Sequence, residues 1–397
     1  MDTLPIKRKK PRRSSAPKNS SQMVILPEDL LAEILPLFNV KTILRLKCLS
    51  KSWMTFISDS NFIQKHLKNS SKNPHLTMYW HQRNRHLNVV PYPVYRILKN
   101  PRINLYDSNN FQHSKHSLEN PCQFIGSCNG LLCFLFYSET LAQTVELCFW
   151  NPATKTTSKK LGSLCYSNWP DFDIFHFTFG YDASTRTYKV VAFRAREIGG
   201  SWKSEVKVFS VGDNCWRNIH SFPSIPYGRL NDGVHFSGTV NWLALDESIA
   251  HGEKFVAIVS LDLSMETYKQ FLLPPSFDEV PFFHPVLRVL MDRLCFSHDS
   301  NKNEFVLWQM KQYGVQESWN QLLKISYQDL RFHNMDYGFP LACIYVNGDM
   351  AIFARKFRHQ AFIYNLKDKT VKSIGSINYI HWFDKATDYV ESLASVC

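Results

Sequence analysis

The stretch SerCysAsnGlyLeuLeuCysPhe (127–134) decides the fold, because the same local grammar returns at fixed intervals along the chain. AsnGly at 129–130 suits a two-residue type I′ hairpin, whose central positions both need positive φ, and the residues after it enter an apolar strand. Related turns occur at PheSerGlyThrValAsnTrpLeu (236–243), LeuMetAspArgLeuCysPhe (290–296) and TyrValAsnGlyAspMetAlaIlePhe (345–353). The last is read as AsnGly at 347–348, and Arg293 is read in the Gly slot of the third copy. A second apolar strand and an Asp or Asn turn follow, as in PheTrpAsnProAlaThrLysThr (149–156), SerLeuAspLeuSerMetGluThrTyr (260–268) and TyrAsnLeuLysAspLysThr (364–370). A further copy opens differently, at PheGlyTyrAspAlaSerThrArgThrTyr (179–188).

Unit starts near 127, 177, 233, 287 and 340 give a period close to the ~50 residues of a kelch-type blade. Such a blade is a four-stranded antiparallel sheet that buries its faces only by stacking on neighbours. Residues 75–126 have room for one more unit. The expected fold is therefore an all-β kelch-like β-propeller over 75–376, six-bladed, or seven-bladed if 377–397 adds strands that close the ring. An irregular β-sandwich with look-alike turns is the alternative, and the regular spacing argues against it.

Residues 25–67 follow another rule. Pro27 suits a first helical turn, Glu28 and Asp29 complement the helix dipole, and Leu30, Leu31, Ile34 and Leu35 form an apolar stripe. Ile43, Leu44 and Leu46 form a second stripe, and Trp53, Phe56 and Ile57 a third behind the cap Ser50. A unit of roughly forty residues rarely stabilises itself without disulfides, metal or association. This one holds a single cysteine, Cys48, so another surface must complete its core, either a downstream domain or a separate protein.

The run LeuProGluAspLeu (26–30), GluIleLeu (33–35), ValLysThrIleLeuArgLeuLysCysLeuSerLysSerTrp (40–53) and IleSerAspSerAsnPhe (57–62) resembles the F-box, including the basic positions Lys41, Arg45, Lys47 and Lys51. Asn39 stands where plant members usually carry Pro, a departure expected to alter only the loop between the first two helices. GlySerCysAsnGlyLeuLeuCys, PheTrpAsnProAlaThr, PheGlyTyrAsp and the AsnTrpLeu near 241 resemble the F-box-associated domain of plant F-box/kelch proteins. The resemblance implies a small all-α F-box over 23–68 that docks a Skp1-type adaptor through Leu26, Pro27, Ile34, Leu35, Leu44, Leu49 and Trp53. It further implies a substrate-recognition subunit of an SCF-type (Skp1, cullin, F-box) ubiquitin ligase, whose propeller holds a target for ubiquitination and proteasomal degradation. A non-degradative F-box scaffold is the other reading, and a glycan-binding propeller a third.

The chain of 397 residues carries a net charge of +12, and residues 1–22 supply half of it, seven Lys or Arg against Asp2. Lys7, Arg8, Lys9, Lys10, Arg12 and Arg13 form a nuclear-localisation-like run in a tail too charged and too poor in apolar residues to fold. With no apolar run of ~20 residues, the expected location is nucleus or cytoplasm and no membrane. Nothing beyond the tail extends a basic stripe with stacking aromatics, so nucleic acid is not expected as a partner. The ten cysteines lack metal-site spacing and read as reduced, mostly buried thiols; no metal or cofactor is expected. GxSxG, P-loop, GxGxxG, HExxH and kinase signatures are absent, so the chain is expected to be non-catalytic. Candidate target anchors are the loop residues Trp169, Trp202, Tyr227, Arg229, Phe282 and Phe283, since aromatics and Arg dominate interface hot spots.

Overall fold

The computed structural model describes residues 27–81, 87–103, 116–118, 122–138, 144–165, 175–226, 233–246, 255–274, 277, 285–300, 303–330, 341–355, 360–376 and 386–396. Behind a helical unit at 28–70, six sheets follow one another around a ring, antiparallel except where Arg102–Ile103 adds a parallel strand to the sixth. The second blade runs Cys122–Cys128, Leu131–Tyr137, Thr144–Asn151, with Thr156–Thr157 and Leu161–Cys165 sharing its outer edge. The third is His176–Asp182, Thr187–Ile198, Ser201–Ser210 and Cys215–Asn218. The fourth, fifth and sixth are built on Thr239–Asp246, Arg293–Ser300 and Met350–Arg355 in the same order.

The first blade is composite. Its innermost strand is Thr387–Tyr389 from the far end of the chain, paired antiparallel with His75–His81 through His75↔Tyr389, Leu76↔Asp388 and Thr77↔Thr387. The C-terminal segment thus contributes one strand to an existing blade, and no seventh blade forms among the described residues. The apolar core is distributed accordingly, as six clusters, each lying in the seam between two neighbouring blades. Central strands such as Leu131–Tyr137 carry near-continuous apolar runs because both of their faces are covered.

The turns explain the repeat. Asn129–Gly130, Ser237–Gly238 and Met291–Asp292 each have both central residues at positive φ, the type I′ requirement. Two details differ from the sequence reading. Leu290 pairs with Arg293, so Arg293 is a strand residue and Met291–Asp292 form the turn; Asn347 pairs with Met350, so the last turn is Gly348–Asp349, with only Gly348 at positive φ. The Asp or Asn turns share one construction. Oδ1 of Asn151, Asp182, Asp262 and Asn365 accepts the backbone N–H groups two and three residues on, and the fourth residue on (Lys155, Arg186, Glu266, Lys369) takes positive φ.

At Asp182 this turn also carries a buried ion pair, 3.0 Å from Lys189 Nζ, and Lys189 donates in addition to the Leu263 carbonyl of the next blade. Burial alone would raise the Asp182 carboxyl, but hydrogen bonds from Ser184, Thr185 and Lys189 outweigh it and hold the group well below the usual carboxylate range. Asp182→Ala strands a buried ammonium and is expected to cost about 3–5 kcal/mol in urea unfolding. Asp262→Ala, which removes the same turn bonds at a more open position, is expected to cost about 1 kcal/mol.

Burial lowers His75, at the closing seam, and His235, near the axis, each to about 4. Their contribution to stability is complete above the unfolded value near 6.5 and is lost as pH falls toward 4. Asp299, raised by burial to about 7, acts in the opposite sense, favouring the fold as pH falls from 7 toward 4. NMR titration is expected to show both imidazoles still neutral at about pH 5.5.

Candidate docking surface on the helical unit

Four helices make the N-terminal unit: α1 (Glu28–Ile34), α2 (Val40–Lys47), α3 (Lys51–Ser58) and α4 (Ser60–Ser70), with a 3-10 turn at Leu35–Leu37. Each start has a local cause. Pro27 precedes α1 in an extended conformation with Glu28 and Asp29 in the first turn. Asn39 Oδ1 accepts from Thr42 N at 2.9 Å, Ser50 Oγ from Trp53 N at 3.2 Å, and Asp59 Oδ1 from Asn61 N at 2.9 Å. Asn39 is thus the cap that starts α2, a role reaching beyond the loop expected from the sequence.

The interior of the unit is small: Leu35, Ile43, Ile57 and Phe62, with Phe56 against Phe62 at 5.4 Å between ring centroids. Buried His66 closes one end by bonding the Phe38 carbonyl through Nε2 at 3.0 Å, and burial lowers its pKa against the opposing pull of that bond. An ion pair between Lys65 and Glu33 ties α4 to α1.

The apolar residues that this interior cannot take remain outside. Leu30, Ile34, Leu37, Phe38, Leu49 and Met54 are six of the twelve large hydrophobics exposed among the described residues, concentrated on a unit of some forty. That density makes the unit the candidate docking surface of the molecule. Met54 and Phe56 also line an open hollow with Lys47, Thr55 and Asp59, which gives the patch a charged rim.

Of the residues singled out in the sequence, Pro27, Ile34 and Leu49 are exposed, and Leu44 and Trp53 are half-buried. Leu35 requires correction: at 4% exposure it belongs to the interior of the unit, where it packs against Ile43, Ile57 and Phe62. Leu26 lies outside the described residues, as does the basic run 7–13. Leu37, Phe38 and Met54 are exposed as well and lie off the apolar stripes legible in the sequence; Leu37 ends the 3-10 turn after Pro36 and Phe38 follows it in an extended conformation.

The propeller has two different faces. Because strands alternate in direction, the hairpins at Asn129–Gly130, Ser237–Gly238, Met291–Asp292 and Gly348–Asp349 and the Asp or Asn turns emerge on one face, as do the connections that leave Pro93 and Met310; the Gly199–Gly200 hairpin emerges on the other, where the strands flanking the inter-blade connections also end. Residues 74 and 390 flank the closing strand pair on the tight-turn face, so the helical unit joins the ring there. Trp202 lies on the opposite face, 45% exposed beside the Gly199–Gly200 turn of the longest hairpin. Trp169, Phe282 and Phe283 lie outside the described residues, between strands that end on that same face; Tyr227 and Arg229, also outside them, fall between Ile225–Pro226 and Val234–Phe236, which both pair with Thr239–Asp246. Among the described residues, no group of three His, Cys, Asp or Glu could hold a metal ion, and no helix is long and apolar enough to cross a membrane. Cys128, Cys133, Cys148, Cys295 and Cys343 are buried, and burial pushes Cys295 and Cys343 up to about 12.

Exposure separates two kinds of leucine. Leu37 (67% exposed) and Leu49 (65%) bury little, so changing either to Asp is expected to alter thermal stability by no more than about 0.5 kcal/mol. Leu35→Ala empties the small interior and is expected to cost about 2–5 kcal/mol, read as loss of the helical signal in thermal unfolding.

Comparison with known proteins places both parts. Residues 24–65 match the F-box domain model, and residues 87–396 match that of the F-box associated beta propeller domain. An F-box/kelch-repeat protein of Arabidopsis thaliana is 28% identical over 317 residues, covering 76% of this chain and 79% of the relative. An F-box protein from the same plant is 26% identical over 335 residues, covering 77% and 70%. A probable F-box protein, also from Arabidopsis thaliana, is 24% identical over 382 residues, covering 94% of this chain and the whole of the relative. With a helical unit and a six-bladed ring that each match their own model, the chain belongs to the family of F-box proteins that carry an F-box-associated β-propeller.

Proposed function

We propose that this chain is the substrate-recognition subunit of an SCF-type ubiquitin ligase. The observation that carries the reading is the cluster of exposed apolar side chains on the F-box, Leu30, Ile34, Leu37, Phe38, Leu49 and Met54, a desolvation-ready patch of the kind that dominates protein interfaces. A Skp1-type adaptor covers this patch and links the chain to a cullin–RING core. On the opposite face of the ring, Trp202 and the inter-blade connections hold the target. The chain performs no covalent step itself; it raises the effective concentration of target lysines near activated ubiquitin. The two-faced layout supports this division, since adaptor and target then do not compete for the same surface. The basic run at 7–13 is suited to nuclear import.

The test is co-purification of full-length protein with a Skp1-type adaptor, comparing wild type with the double variant Leu37→Asp, Leu49→Asp. Two interface residues worth ~2 kcal/mol each correspond to a loss of affinity of roughly several hundredfold to a thousandfold, at unchanged β-sheet circular dichroism. Retention of the adaptor by the double variant, or no adaptor on well-folded wild type, would remove the basis of the proposal.

A further inference from the structure

Among the described residues, the F-box interior has one contributor from outside the helical unit: Leu393, four residues beyond the strand that closes the ring. The tail that carries it is fixed to the propeller on its other side. Asn151 Nδ2 donates to the carbonyls of Ser392 at 3.1 Å and Ala394 at 2.9 Å, and Ser392 Oγ accepts from Ala394 N at 3.2 Å. Gly130, in the tight turn of the second blade, has φ +81°, and any side chain there would collide with Ser392 and the Val390 carbonyl, so the tail rests directly on that turn. Ala394 and Val396 pack on the seam between the second and third blades. In this extended segment alternate residues face opposite ways: 392, 394 and 396 meet the propeller, and 393 meets the F-box.

We infer that residues 390–396 are a strap that completes the F-box interior only when the ring has closed. The strap follows the closing strand directly, so the register that seals the first blade also sets where Leu393 falls. The helices precede every blade in the chain, and their outside contact follows the closing strand. A chain cut or unclosed near its C-terminus would therefore present a loosened F-box although every F-box residue is present, which makes docking competence conditional on a finished fold. That consequence for docking rests on the adaptor reading above; the strap itself does not.

Hydrogen exchange followed by mass spectrometry on the full-length chain, without any adaptor, tests the strap separately. In Leu393→Asp, peptides spanning 35–67 are expected to exchange roughly five- to tenfold faster, the scale of one partly buried leucine, while the strands at 187–210 keep wild-type rates. Leu393→Ala is expected to give a smaller acceleration in the same helices, and Leu393→Met to behave as wild type. Unchanged helices in both Leu393→Asp and Leu393→Ala would overturn the inference. Equal acceleration in helices and blades would overturn it too, since residue 393 would then serve the propeller rather than join it to the F-box.

Discussion

Three residue pairs, His75↔Tyr389, Leu76↔Asp388 and Thr77↔Thr387, join the two ends of a ring built from some three hundred residues. The rest of the structure depends on this short ladder because the propeller has no central core. Its apolar side chains lie in six seams, and each blade shows both faces to its neighbours. Tyr389, carried by the closing strand, is itself buried in the seam between the first and second blades. An unclosed ring would leave the first blade without its innermost strand and that seam open, with unpaired strand edges exposed to other chains.

Much of this is legible in the sequence because the signals are local. A two-residue turn with Asn–Gly, or an Asp or Asn that caps its own following N–H groups, specifies its geometry within about five residues, and repetition at a fixed period then implies a ring of blades. The helical unit is legible for the same reason, its caps and stripes lying within some forty residues. Sequence and structure part where geometry depends on the partner strand. Whether 347–348 or 348–349 forms the last turn is settled by the register Asn347↔Met350, and the place of Arg293 by its pairing with Leu290.

The docking surface is legible only in outline. An apolar stripe on a helix says that something covers it, but Leu35 and Leu37 look alike in sequence and differ entirely in exposure, 4% against 67%. The difference arises because the chain breaks from α1 into a 3-10 turn there, directing Leu35 toward Ile43 and Phe62 and leaving Leu37 outside. Leu393 carries no readable signal at all: more than 320 residues separate it from α4, and only the closed ring brings the two together. Both completions of the small core anticipated from its size, a downstream segment and a separate protein, have room here, since Leu393 adds to the interior and six apolar side chains remain uncovered.

The F-box patch is proposed as an apolar docking site held by a closed propeller, and isothermal titration calorimetry of the full-length chain with a purified Skp1-type adaptor tests that proposal most directly. Burying this patch must give one-to-one binding with a clearly negative heat-capacity change, the robust mark of apolar burial. Absence of binding, or binding with a heat-capacity change near zero, would contradict it.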